Sequence, residues 1–274
     1  MQIVHTLPDL RAQLQAFRHP AVVPTMGNLH AGHIALVQAA KPLGDVTVAT
    51  IFVNRLQFGP KEDFATYPRT LEADCAQLDA VGCDIVFAPL ETELYPEPQN
   101  FLIQPPPELA NILEGEFRPG FFTGVATIVM KLLSCTLART AVFGKKDYQQ
   151  LMVIRRMVQQ FNMPINIVGL DTQRAPDGLA MSSRNGYLSA TERNQAVLLS
   201  QTLQAMVEAL RAGHSDYAAL ETQAMSALRA AGWKPDYVAA RRRVDLQAPH
   251  IGDPLVVLAA AKLGTTRLID NLEV

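Results

Sequence analysis

With 274 residues, 49% of them hydrophobic and 18% charged, the chain can bury one large core or build two domains. A net charge of −2 argues against a nucleic-acid face as its main business. No apolar run reaches the roughly 18 residues of a membrane span, the N-terminus lacks signal-peptide features, and Cys75, Cys83 and Cys135 form no motif, so a soluble cytoplasmic protein is expected.

Residues 8–18 read as an amphipathic helix through Leu10, Leu14 and Phe17. Residues 21–23 read as a buried strand that breaks at Pro24 and Gly27, with a helix starting near Gly32 and His33. Residues 45–53 are almost continuously apolar and β-branched, the pattern of a parallel strand covered on both faces. Leu71, Cys75 and Leu78 make 69–81 a helix stopped at Gly82, and a further short strand follows at 84–88. Residues 89–107, with Pro105, Pro106 and Pro107, read as a connector. Residues 117–124 form a glycine-rich aromatic loop with one cation, Arg118, leading into a helix with Val125, Ile128 or Val129, Leu132 and Thr136 on one face. Strands at 140–143 and 165–169 flank a helix marked by Leu151, Ile154 and Val158. This alternation predicts an α/β fold, a Rossmann-like doubly wound parallel sheet over residues 1–172.

The pattern then changes. A small polar loop at 178–185 precedes a capping box, Ser189 with Glu192, that opens a long helix with Leu199, Leu203, Met206 and Leu210 on its buried stripe. A helix at 215–230 and strands near 237–244, 254–261 and 266–270 complete a smaller α+β C-terminal domain over 173–274. Arg241, Arg242 and Arg243 alternate faces on a strand, which favours a solvated strand over a nucleic-acid patch.

The chemistry-bearing residues cluster at predicted strand ends. His30 and His33 sit three apart at a helix start, where free backbone N–H groups and the helix dipole favour a polyanion such as a nucleoside triphosphate. A zinc site is disfavoured, because no cysteine or third histidine lies at ligand spacing. Asn54 and Gln57 leave the 45–53 strand at its C-terminal end, where open α/β sheets bind ligands. A loop amide that caps backbone is the competing role for each. Lys146 follows the 140–143 strand and suits a phosphate, whereas Asp147 with Gln150 has the spacing of a capping box. Arg184, with the hydroxyls of Ser182 and Ser183, lies in a loop able to close over the same crevice. Such a set fits polarisation of a triphosphate under attack by a second substrate.

The segment Pro24-Thr-Met-Gly-Asn-Leu-His-Ala-Gly-His33 resembles the HIGH-type motif of the pantoate–β-alanine ligase family. So do Ile51-Phe-Val-Asn54 with Gln57-Phe, Tyr67-Pro-Arg-Thr70, Phe143-Gly-Lys-Lys-Asp-Tyr-Gln-Gln150 and Met181-Ser-Ser-Arg-Asn185, in the family's order. The resemblance implies an ATP-dependent, two-step ligation through pantoyl adenylate, with Mg2+ accompanying ATP, no tightly bound organic cofactor, and a homodimer. It implies that Met26, Gly27, Asn28, Leu29, His30, Ala31, Gly32 and His33 hold ATP, with His33 as catalytic acid and His30, Lys146 and Arg184 stabilising charge. It further places Gly144, Lys145, Lys146, Asp147, Met181, Ser182, Ser183 and Arg184 around the nucleotide, Gln173 near the adenine, and Gln57, Gln150 and Asn54 at pantoate or β-alanine. The chain departs from the family pattern at Arg55 (usually Pro), Phe121 (usually His) and Lys145 (often acidic), and Phe121 is expected only to form a wall. The residues alone leave open an adenylating enzyme acting on a different small acid.

Overall fold

The computed structural model describes residues 1–60 and 62–274. In chain order the first part contains β1 (Gln2–Val4), α1 (Leu7–Leu14), β2 (Pro20–Thr25), α2 (Ala31–Ala40), β3 (Val46–Ile51), α3 (Leu71–Ala80) and β4 (Ile85–Phe87). Three short helices, α4 (Glu91–Leu94), α5 (Pro107–Ala110) and α6 (Glu114–Phe117), precede α7 (Phe121–Cys135), β5 (Thr140–Gly144), α8 (Tyr148–Gln160) and β6 (Asn166–Leu170). All the pairings in this six-stranded sheet are parallel, in the order β1-β4-β3-β2-β5-β6.

Helices cover both faces, as the continuous apolar strands require. Val22, Val48, Ile85 and Phe87 join the core under α7 and α8, while Ala21, Val23, Ala49 and Val86 pack with Val37 and Leu78 of α2 and α3. The alternation follows from the two-residue period of a strand. Strand order reverses between β2 and β5, so the connections leaving these two strands diverge and open a crevice at their C-terminal ends. His30, His33 and Lys146 follow those two strands.

The C-terminal part contains α9 (Ala190–Gln195), α10 (Val197–Arg211), α11 (Tyr217–Ala230) and an antiparallel meander of β7 (Lys234–Arg242), β8 (Leu255–Leu263) and β9 (Thr266–Glu273). The three-strand sheet is buried from both sides. Val257, Ala259 and Ala261 pack with Leu199, Leu203 and Leu228 of α10 and α11, whereas Ala239, Val256 and Leu258 join the core of the first part. The two parts therefore share a hydrophobic interface.

Several boundaries differ from the sequence reading. The first helix ends at Leu14, and β1 is a three-residue edge strand paired only with β4, too short to show a period. The Ser189–Glu192 capping box forms, but the helix it opens breaks at Ala196 before α10 begins. Helix α7 starts at Phe121 within the expected loop, with Gly120 in the left-handed region (φ +81°) as its N-cap. Each of Arg241, Arg242 and Arg243 is paired with an acid, respectively Glu221, Asp245 and Glu273.

Candidate active site

The turn after β2 is built before any ligand is considered. Gly27 and Asn28 both take left-handed backbone conformations (φ +78° and +50°), turning successive N–H groups toward one point. There they meet the Asp74 carboxylate, with Asn28 N–H donating to Oδ2 at 2.9 Å and Leu29 N–H to Oδ1 at 2.8 Å. Thr70 Oγ adds a third donor at 3.0 Å, and Asp74 is only 1% exposed. Thr25 Oγ donates to the Thr50 carbonyl at 2.7 Å and accepts from Gly27 N–H at 3.2 Å, tying the turn to β3. Asp74 escapes a sequence reading, because an acid in the first turn of a helix reads as ordinary dipole complementation.

His30 then caps α2. Its Nδ1 accepts from Gly32 N–H at 3.1 Å, and His33 Nδ1 accepts from His30 N–H at 3.3 Å, completing a capping box made of two imidazoles. A Cβ on Gly32 would lie 2.8 Å from His30 Cε1, so only glycine lets the ring reach this position. Because each Nδ1 accepts a backbone N–H, the neutral rings carry their protons on Nε2 and present them as donors. Burial, then the nearby Lys146 charge, lowers the His30 pKa to about 4. Burial, then His30 itself, lowers His33 to about 3. At neutral pH the pair consists of uncharged donors. The ring centroids are 4.1 Å apart, and Ala31 occupies the exposed start of α2.

Gly144 and the 3-10 turn at Lys145–Asp147 supply the opposite wall. The Lys146 ammonium makes no hydrogen bond or ion pair among the described residues, and the side chain lines a cavity with Asp147 and Gln150. The predicted Asp147–Gln150 capping box is absent, since the Asp147 side chain accepts no cap hydrogen bond and stays available to the cavity. The Lys145 side chain takes a different course. Its ammonium turns away from the crevice to Asp171 at 2.7 Å and Glu273 at 3.3 Å, the Asp171 hydrogen bond leading the partners that raise its pKa. Successive residues of a tight turn point apart, so only Lys146 faces the cavity. Asn271 of β9 braces the turn by donating from Nδ2 to the Lys145 and Lys146 carbonyls at 2.9 and 2.8 Å.

Asn54 takes the capping role. Its buried amide donates to Gln57 Oε1 at 3.1 Å and to the Gly124 carbonyl at 3.2 Å, and accepts from Tyr95 OH at 2.8 Å and Leu56 N–H at 3.3 Å. Those four bonds take up the capacity of the amide within the protein and tie Gln57 to it. Gln57 Nε2 meets Met26 Sδ at 3.1 Å. The 181–185 segment closes onto the histidine turn, with Ser183 Oγ donating to the Asn28 carbonyl at 3.0 Å. Ser182 accepts the Arg184 N–H at 3.3 Å, and Met181 N–H donates to the Gln173 carbonyl at 2.9 Å. Gln173 itself is exposed, its side chain donating to the Asp171 carbonyl at 3.0 Å. Arg184 reaches Asp63 at 3.2 Å.

A cavity of about 550 Å³ lies between the two parts of the chain. Lys146, Gln150, Ser182 and Arg184 line it from one end, and Asp236, Arg267 and Asp270 from the C-terminal sheet. His30 and His33 are not among its lining residues, although Lys146 is near enough to depress both rings. Arg118 and Glu62, absent from the sequence-derived site, form a bidentate pair at its wall with both contacts at 2.7 Å. The signal for them is faint, one cation in an aromatic loop and one acid in a surface segment.

A parallel sheet that gathers neutral histidine donors and a lysine where its strand order reverses is the framework of an α/β enzyme acting on anionic small molecules. The chain belongs to the pantoate–β-alanine ligase family, whose model, described as Pantoate-beta-alanine ligase, matches residues 2–273. Pantothenate synthetases of Verminephrobacter eiseniae and Leptothrix cholodnii are 62% and 60% identical to it, each alignment covering 100% of both chains. The crystal structure of pantothenate synthetase from Thermus thermophilus superposes with a TM-score of 0.94 at 43% identity, covering 100% of this chain and 99% of that one. A pantoate-beta-alanine ligase from Francisella tularensis, complexed with beta-gamma ATP and beta-alanine, superposes at 0.84 with 34% identity, covering 100% and 97%.

Proposed function

We propose that the chain joins pantoate to β-alanine in two steps within this crevice. A pantoate carboxylate oxygen attacks the α-phosphorus of ATP and pyrophosphate leaves, giving pantoyl adenylate. The β-alanine amine then attacks the acyl carbon, AMP leaves with the bonding pair, and pantothenate is released. The observation that carries this reading is the placement of the His30–His33 capping box and the Lys146 ammonium just beyond the C-terminal ends of the adjacent parallel strands β2 and β5.

In this scheme the segment 26–33 receives the phosphates. Uncharged N–H donors held by a capping box are already oriented, so they strengthen toward charge developing in the transition state without reorganising. Lys146 and Arg184 add full positive charge as pyrophosphate departs. Charge growing on the departing phosphate strengthens the hydrogen bond that the neutral His33 donates through Nε2, which is how it assists the leaving group. Gln57, oriented by Asn54, and Gln150 hold pantoate. Among the described residues no group of three or more His, Cys, Asp or Glu is placed to hold a metal ion. Mg2+ accompanies the phosphates of ATP, where it offsets their negative charge.

The 173–274 part acts as the lid domain and 1–172 as the nucleotide and pantoate domain, with the crevice between them excluding water from the adenylate. Family resemblance supports a cytoplasmic homodimer formed through the first part. No helix of the described residues is long and apolar enough to cross a membrane. The decisive assay is pantoate-dependent exchange of labelled pyrophosphate into ATP, with Mg2+ and without β-alanine. Exchange followed by AMP and amide formation on adding β-alanine is the expected result; no exchange with pantoate, but exchange with another small acid, would redirect the substrate assignment.

A further inference from the structure

Arg118 has no task in the adenylation step, yet its guanidinium is one of the most constrained groups at the cavity. It projects from the loop before α7 and is held in three ways. The Phe121 ring lies under its plane, with the guanidinium carbon 3.6 Å from the ring centroid. Its Nη2 donates to the Gln57 carbonyl at 3.2 Å, which sets it beside the proposed pantoate residue. Nε and Nη2 together grip the Glu62 carboxylate, both at 2.7 Å. Burial pushes the Glu62 carboxyl up, but the Arg118 hydrogen bond and charge overcome it, and the acid titrates below its usual range. Asp63, the next residue, makes a single, longer ion-pair contact with Arg184 at 3.2 Å.

One acidic segment thus supplies carboxylates to two of the arginines at the cavity wall, Arg118 and Arg184. A fork gripping a carboxylate through two parallel N–H bonds is already shaped for that ligand. The two substrates differ in what they ask of such a group. The pantoate carboxylate must reach the α-phosphorus and loses its charge on becoming an acyl phosphate. The carboxylate of β-alanine stays ionised through both steps and needs a permanent counter-charge away from the triphosphate. Lys146 and Arg184 are committed to the phosphates, Arg267 is held by Asp236 and by both oxygens of Glu114, and Lys262 lies exposed at the rim, which leaves Arg118.

Building on the proposed ligase reading, we propose that Arg118 is the receptor for the carboxylate of β-alanine, and that Glu62 occupies the fork until that substrate displaces it. Phe121 then keeps the guanidinium flat and aimed while its partner changes, a role that the histidine usual at this position fills less well as an apolar face.

The test uses the full-length enzyme with β-alanine and its neutral isostere, β-alaninamide. Arg118→Gln is expected to retain pantoate-dependent pyrophosphate exchange while raising the KM for β-alanine roughly 10–100-fold, the worth of a charge-assisted pair. It is also expected to abolish the wild-type preference for β-alanine over β-alaninamide, which a purely structural role would leave intact. Glu62→Gln, which keeps Arg118 in place, is expected to lower the KM for β-alanine several-fold with the preference unchanged. Loss of exchange in folded Arg118→Gln, retained preference in that variant, or an unchanged or raised KM in Glu62→Gln overturns the assignment. Absence of exchange in the wild-type enzyme would instead refute the underlying reading.

Discussion

Asp74 offers the sharpest test of how the histidine turn is held. Replacing it with asparagine preserves shape but leaves one oxygen for two backbone donors, so either Asn28 or Leu29 N–H faces an amide NH2. An orphaned buried donor costs about 1–3 kcal/mol, and the surviving contact loses charge assistance worth roughly 1 kcal/mol more. The sum, about 2–4 kcal/mol, corresponds to a fall in Tm of roughly 4–16 °C for a chain of this size. The turn it releases holds Asn28 at a positive φ and leads directly into His30, so a displacement on the order of 1 Å is expected to cut the exchange rate about 100-fold. Thermal unfolding followed by circular dichroism, with pyrophosphate exchange on the same sample, reads both effects. A variant that unfolds within about 1 °C of wild type and exchanges normally would show that the backbone holds the turn unaided.

Lys146→Met is expected to lower exchange by roughly 100-fold or more with an unchanged Tm, because the ammonium has no protein partner to lose; a large drop in Tm would show a structural role. Both imidazoles bind protons less readily folded than unfolded, so between about pH 6.5 and pH 4 the unfolded chain holds more protons and stability falls as pH falls. Urea titrations across that window should show this slope, flattened in His30→Gln, and nitrogen NMR at pH 7 should find Nε2 protonated and Nδ1 bare in both rings. A Cβ at Gly124 would sit 2.1 Å from the Leu56 carbonyl oxygen, so Gly124→Ala should destabilise by about 1–3 kcal/mol and raise the KM for pantoate by shifting Gln57; a wild-type KM would remove that coupling.

The parallel sheet is legible in the sequence because β2, β3 and β5 carry apolar runs that only burial on both faces explains, each followed within a few residues by glycine or an amide. His30, His33 and Lys146 are legible by position, since strand ends in such sheets are ligand edges. Direction and pairing are what escape the sequence. Lys145 and Lys146 are adjacent and chemically alike, and only the geometry of the turn sends one to Asp171 and the other to the cavity. Asn54 and Gln57 look equivalent as amides, yet Tyr95 and the Gly124 carbonyl, 41 and 70 residues away, saturate the first. Asp74 and Arg118 act through partners 45 and 56 residues distant, and no local period reports such contacts.

The bracing of the Lys146 turn by Asn271 spans 125 residues and two sheets. Contacts this far apart in the chain form late, since the entropy of closing so long a loop must be met before they return anything. During synthesis the lysine turn lacks this brace until β9, the last strand, has emerged and docked. The cation of the crevice is thus organised by the last strand of the chain, so its alignment is tied to completion of the whole molecule.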